Sequence, residues 1–343
     1  MSRITMKDVA QVMGVSVMTV SNAFNRPDQL SPELRERILS RATKMGYAAP
    51  NAAARALRQG RTNAYGVVFA DSLTYAFADP FTVEWLAGFA EGMEPTRSSI
   101  VLMSVPADDA AGLEAVRNTS VDGIAAACTS HPIMDAARAQ GLPMVAGDPG
   151  PGAFVSIDER AAGAAVASHL RRLGHERIWL LLGATFESDR QQVLDIDTFV
   201  ASLSRIGPGL GGWERLAGIL DGLHGLDVTV LQAGRWDRSA GQDAATLALD
   251  RSDRPTAVIG LSDSLALGFI AAMAARGLQP GSDISVSGFD DIPEAATAGL
   301  TTVHQPIHEK GRRTAELLLD PSCQPRQVTL AHNLIVRTST GPR

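Results

Sequence analysis

The sequence predicts two folds in one chain: an all-α helix-turn-helix head, then an α/β core of two doubly wound parallel-sheet subdomains. Three observations carry this. Two short helical patterns with apolar stripes meet at Gly14, the charge balance changes sign after Arg61, and from Asn63 apolar runs alternate with helical patterns in two successive series. At 343 residues and 45% hydrophobic, the chain can bury more than one core.

The head comes first. Thr5-Met6-Lys7-Asp8 has capping-box form and starts a helix over Met6 to Met13, with Val9, Ala10 and Met13 as its stripe. Gly14 permits a tight turn. Ser16 then caps a second helix within Val15 to Asn25, where Val20 and Phe24 face the first helix while Val17, Met18, Ser21 and Asn22 point away. This is a helix-turn-helix whose second helix suits a major groove. Asn25-Arg26-Pro27-Asp28 reads as a turn, and Ser31-Pro32-Glu33 opens a third helix with stripe Leu34, Ile38, Leu39, Ala42 and Met45, ended by Gly46. The head is thin, so Val20, Phe24, Leu34 and Ile38 should share one core.

Charge supports the same reading. The whole chain carries −6, yet residues 1–61 hold ten Lys or Arg against four Asp or Glu, a balance of +6 that leaves −12 for the rest. A basic head suits phosphate, and an acidic body avoids it. Val17 and Met18 can read thymine methyls, Asn22 can hold adenine or a phosphate, and Thr5, Ser16, Thr19, Ser21, Asn25 and Ser31 complete the DNA-facing set, mostly as phosphate contacts.

Residues Pro50 to Gly60 form a short helical pattern of Ala, Arg and Leu between Pro and Gly. Roughly ten residues fall below the ~12 to 15 at which an isolated helix is even marginal, so it should fold only when something packs on it. TMKDVAQVMGVSVMTVSNAFN, with SPELRERILSRATKMGY and PNAAARAL, resembles the N-terminal part of the lactose-repressor and galactose-repressor family of bacterial transcription factors. The resemblance implies a hinge helix that forms on operator DNA, pairs with its symmetry mate and wedges a leucine into the minor groove. Leu57 matches that leucine and Ala54 the small residue beside it. Many members have Arg where this chain has Asn22, so guanine reading there is not carried over.

Buried parallel strands are expected at Tyr65–Ala70, Ile100–Val105, Gly123–Cys128 and Pro143–Gly147, then at Arg177–Leu182, Val228–Leu231, Ala257–Leu261 and Ile284–Phe289. The resemblance extends here to the fold of periplasmic sugar-binding proteins, with the chain crossing between lobes near Ile157-Asp158, Thr301–Val303 and Leu334–Thr338. The expected division is a head at 1–48, a hinge helix and linker at 49–62, and a core at 63–343. Within the core, the N-subdomain takes about 63–158 and 303–325, the C-subdomain about 159–302 and 326–343. Glu187 to Gly212, with its Gly-rich end, fits least well and reads as a mobile loop.

Ligands of open α/β sheets sit beyond the carboxyl ends of strands, which selects Asp71 to Phe81, Asp148, Asp158, Trp236, Asp263 and Asp290. The resemblance implies effector contacts at Asp79, Phe81, Arg215, Trp236, Asp263 and Asp290. Plainer readings stand beside these: Asp263 and Asp290 as helix caps, Trp236 as core, Arg215 as a surface residue. An aromatic face with carboxylates and one Arg suits a sugar, without excluding a purine or a phosphorylated effector.

No GxGxxG follows the first strand, and no GxxxxGK[ST] or GxSxG occurs, which argues against an α/β enzyme. Cys128 and Cys323 are far apart and the histidines lack ligand spacing, so neither a disulfide framework nor a metal or other cofactor is expected. The polar N-terminus and absence of a long apolar run place the protein in the cytoplasm, away from membranes. The expectation is a dimeric DNA-binding regulator, acting as a repressor on a pseudo-palindromic operator under control of a small-molecule, sugar-like effector. Pairing of dimers into tetramers is left open. The rival readings are a cytoplasmic sugar-binding protein and an α/β enzyme.

Overall fold

The computed structural model describes residues 4–47, 61–105, 109–126, 131–184, 189–204 and 213–343. The chain divides into two compact units, Met1–Asn63 and Ala64–Arg343. The hinge residues Ala54 and Leu57 lie outside the described residues.

In the first unit, α1 (Met6–Met13) starts at a capping box in which the Thr5 N–H donates to Asp8 at 2.8 Å and the Asp8 N–H to Thr5 Oγ1 at 3.4 Å. Gly14 ends it at φ 64°, in the left-handed region. Helices α2 (Val17–Asn25) and α3 (Pro32–Lys44) follow, capped by Ser16 and Ser31. Their core is Val9, Ala10, Val20, Ala23, Ile38 and Ala42, with Phe24 and Leu34 packed against it. The shared core read from the apolar spacing is therefore present, with Ala23 as an added member.

The second unit holds two sheets and a short ribbon. The first sheet, all parallel, runs β12 (Gln327–Leu330), β5 (Ala153–Ile157), β4 (Met144–Ala146), β3 (Ile124–Ala126), β1 (Ala64–Phe69), β2 (Ser99–Ser104). The second runs β10 (Ser285–Ser287), β9 (Ala257–Gly260), β6 (Arg177–Leu182), β8 (Asp227–Gln232), β7 (Gln192–Asp195). In the first the chain goes from β1 to β2 on one side and then to β3 on the other; in the second it goes from β6, by way of the edge strand β7, to β8 on one side and then to β9 on the other, so each has a switch point at its strands' carboxyl ends. The lobes are joined at Ile157-Asp158 and by an antiparallel ribbon of β11 (Thr302–His304) and β13 (Asn333–Ile335).

Helices cover the sheets. The two that matter most for the site are α8 (Glu159–Arg172) with α10 (Trp213–Gly222) in the second lobe, and α5 (Pro80–Met93) with α14 (Ile307–Leu319) in the first. Each pair meets backbone to backbone through reciprocal glycines. A Cβ on Gly163 would collide with the Arg215 carbonyl and one on Gly218 with the Arg160 carbonyl; Gly88 meets His308 and Gly311 meets Trp85 in the same way.

Two expectations are corrected. Within 187–212, residues 192–195 form β7, paired antiparallel to β8, and Ile196–Ser204 form a helix that buries Phe199 and is capped by Asp195. Edge pairing and an apolar anchor thus replace the expected loop; 185–188 and 205–212 lie outside the described residues. Residues 327–330 belong to the first sheet, because β12 pairs with β5 from Gln327↔Phe154 to Leu330↔Ile157, and not to the second lobe as the 326–343 boundary supposed. The last crossing therefore begins before Asn333. Only the tail beyond it joins the second lobe, where the Val286 N–H donates to the Ser339 carbonyl at 2.8 Å. No helix among the described residues is long and apolar enough to cross a membrane.

Candidate DNA-reading head and interlobe site

On α2 the burial alternates as a docked helix requires. Val20 and Ala23 are fully buried, whereas Val17 and Met18 are 45% and 68% exposed. Ser16 Oγ accepts the Thr19 N–H at 2.9 Å and lies 2.8 Å from Thr19 Oγ1. Asn22 Nδ2 donates one of its two N–H groups to Gln29 Oε1 at 3.1 Å, a bond that orients the amide on the exposed side of α2. Ser31 Oγ accepts the Leu34 N–H, and Thr5 is engaged with Asp8. Thr5, Ser16 and Ser31 are thus first of all helix caps, each marking an end where further backbone N–H groups point outward. Ser21 is half-buried, and the side chain of Asn25 lies outside the described residues.

The second site lies where the lobes meet. Arg215, on α10, donates from Nε to Glu159 Oε2 at 2.9 Å and from Nη1 to the Leu261 carbonyl at 2.8 Å, and stands 3.9 Å from Asp290 Oδ1. Its guanidinium lies 3.5 Å over the Phe289 ring. From the first lobe, Lys310 on α14 donates to Gln305 Oε1 at 2.9 Å, and Gln305 Nε2 donates to Asp290 Oδ1 at 2.6 Å. Lys310 Nζ is also 4.0 Å from Glu159 Oε1 and 5.5 Å from the Phe81 ring centre. A chain of buried polar contacts therefore runs from one lobe to the other.

Burial governs the acids. It pushes Asp148, which follows β4, up to about 6; Glu159's charge adds to this, and Lys310 and Arg215 oppose it. Asp290 is raised well above the usual carboxylate range by burial, against the pull of Arg215. Burial would raise Glu159 too, but Arg215 and Lys310 outweigh it and hold it below its ordinary value. Two cations thus serve several carboxylates, and Glu159 has first claim on them.

A sequence scan matches residues 5–51 to the model "Bacterial regulatory proteins, lacI family" and residues 167–340 to "Periplasmic binding protein-like domain". An HTH-type transcriptional regulator of Mycobacterium tuberculosis is 37% identical over 332 residues, spanning 93% of this chain and 91% of its own. The chain belongs to the lacI family of bacterial regulatory proteins. This lacI-family member is a DNA-binding transcriptional regulator with a periplasmic-binding-protein-like core. Among solved structures, the transcriptional regulator CelR–cellobiose complex has TM-score 0.64 and 25% identity, over 98% of this chain and 100% of that one. The lac repressor dimer bound to operator and an anti-inducer has TM-score 0.73 over 99% of each chain at 24% identity, a likeness of fold.

The residues selected in this regulator by strand ends and resemblance separate into two groups. Asp148, Arg215, Asp290 and Phe81 come together around Lys310. Trp236 is half-buried against the backbone of Gly183, at the carboxyl end of β6, and packs on the second lobe's apolar clusters. Asp79 caps α5 by accepting from the Thr82 N–H and hydroxyl, close enough to raise Asp290. Asp158 is an exposed cap of α8, and Glu159 one residue later is the acid that turns in. Asp263 is fully buried near enough to Asp290 for its charge to raise that residue, and its oxygens accept from the Thr302 hydroxyl at 2.6 Å and the Ile292 N–H at 2.9 Å. Burial lifts it to about 7, and it ties the start of α12 (Asp263–Ala274) to the crossing strand β11.

Three residues of this buried polar cluster were missed. Glu159 is hidden by Asp158, the better cap. Gln305 carries no strand-end signal. Lys310 sits in a charged run, yet Ile307, Gly311, Thr314, Ala315 and Leu318 place it on the buried stripe of α14. A lysine on that stripe is the signal that could have found it.

Proposed function

We propose that this protein is a homodimeric repressor. It binds a pseudo-palindromic operator with two heads and two hinge helices, and it responds to a small, sugar-like effector held between the lobes of the core. The observation that carries this reading is the polar chain from Lys310 and Gln305 to Asp290, Arg215 and Glu159, which joins both lobes at the strands' carboxyl ends. A ligand that exchanges contacts with this chain changes how the lobes hold each other, and so biases two arrangements of the core. The cellobiose bound by the CelR relative supports a carbohydrate, and the operator-bound dimer of the lac repressor supports paired heads.

The proposed DNA contacts are Val17 and Met18 to base edges, Asn22 to adenine or phosphate, Thr5, Ser16, Thr19, Ser21, Asn25 and Ser31 around the phosphates, and Leu57 with Ala54 in the minor groove. In the core, Phe81, Asp148, Arg215, Trp236 and Asp290 surround the effector, joined by Glu159 and Lys310. Footprinting on the protein's own promoter region, at low salt and across a sugar panel, tests the reading. A protected palindrome whose occupancy one sugar alters is the expected result. Protection that never forms, with or without sugars, overturns it. Trp236→Ala should abolish the sugar response and leave the footprint intact.

A further inference from the structure

Two opposite hydrogen-bonding capacities are left unspent where the lobes meet. The Lys310 ammonium has three N–H donors and its side chain is 5% exposed, yet among the described residues its one hydrogen bond goes to Gln305. Glu159 does not take the remainder. It stands at 4.0 Å from Lys310, with its short contact of 2.9 Å made to Arg215. Asp148 shows the reverse, since its Oδ2 is buried and has no hydrogen-bond partner among the described residues. Lys310 and Arg215 are near enough to favour its charge, and Glu159 near enough to oppose it.

A buried donor or acceptor without a partner is costly, so this arrangement suits a guest that answers both at once. A hydroxyl does so: its oxygen accepts from Lys310 while its proton goes to Asp148. A phosphate or carboxylate would satisfy Lys310 but add negative charge beside Asp148, Glu159 and Asp290. An ammonium would satisfy Asp148 and meet Lys310 and Arg215 as like charges. The Phe81 ring beside Lys310 adds an apolar face for C–H groups of the same guest.

We propose that Lys310 and Asp148 act as one hydroxyl-reading pair, so that the effector is an uncharged polyol and its phosphorylated, acidic and amino relatives are rejected. This rests on the effector reading given above, and it makes Lys310 a specificity-determining residue of the core.

Calorimetric titration of the full-length protein tests the pair. The probes are ribose, glucose, glucitol and cellobiose beside ribose 5-phosphate, glucose 6-phosphate, gluconate and glucosamine. The expected result is a neutral compound that binds at least about tenfold more tightly than its charged counterparts. Lys310→Met should weaken it roughly 10- to 100-fold. Asp148→Asn should narrow the preference for the neutral compound over its phosphate, which loss of a merely structural residue would not do. A charged form that binds more tightly than its neutral parent overturns the pair and leaves the effector site standing. So do two folded variants that keep wild-type affinity and preference. Binding by no compound, with operator occupancy unaltered, overturns the effector reading and the pair together.

Discussion

Met18 projects from α2 with 68% of its surface in solvent and belongs to no core cluster. Its replacement by Ala should therefore shift stability by no more than about 0.5 kcal/mol, as for an ordinary surface change. Loss of an apolar base contact would still weaken operator binding, by up to about 1.5–3 kcal/mol if the side chain is fully buried against a thymine methyl. Thermal melting and gel-shift titration of Met18→Ala separate the two, and a large fall in melting temperature would place Met18 in the fold instead. At this scale the sequence was informative wherever a residue's type and its spacing agreed. Ser16, Gly14 and Val20 were legible because caps, turns and stripes are local. Asp263 was only partly legible, because an acid after a strand does not announce the bonds it makes to the Thr302 hydroxyl and the Ile292 N–H. Finding them takes the position of a strand 39 residues later.

The helix pairs set the position of the ions. Arg215 and Glu159 lie on two helices that touch at Gly163 and Gly218, and Gly163 sits against the Arg215 carbonyl itself. Gly163→Ala should push α10 away, costing about 1–3 kcal/mol from overpacking and loosening the 2.9 Å ion pair. Denaturant midpoints should fall, and effector affinity should fall with them. Ala at Gly225, which meets nothing within 4 Å but has φ 82°, should cost stability without affecting affinity. Eight core strands were legible as apolar runs, since strands buried on both faces leave that mark. The short strands β5, β7, β11, β12 and β13 were not, because runs of only three to five residues become strands through the partner they find.

At the scale of the molecule, the C-terminal tail closes the second lobe. His169 Nε2 lies 2.9 Å from Thr340 Oγ1, His175 Nε2 donates to the Gly341 carbonyl at 3.0 Å, and the Arg343 N–H donates to the Leu173 carbonyl at 3.0 Å. Burial lowers both histidines below the ordinary 6.5. A depressed value means that the unfolded chain takes up the proton first, so this part of the stability is present above pH 6.5 and is lost as the pH falls through the lowered folded value. His175→Gln should accordingly cost more at pH 8 than at pH 5.5. Melting temperatures of the two proteins at both pH values check this, and a gap that widens in acid would reverse the assignment. The same connectivity has a consequence for synthesis. The first lobe lacks α14 until residue 319 and its edge strand until residue 330, while the second awaits the tail at 339–343. A ribosome therefore emits the head, one compact unit, long before either lobe can be finished. A message cut short near codon 300 would release the head joined to two unfinished lobes, without the core through which the proposed dimer pairs its heads.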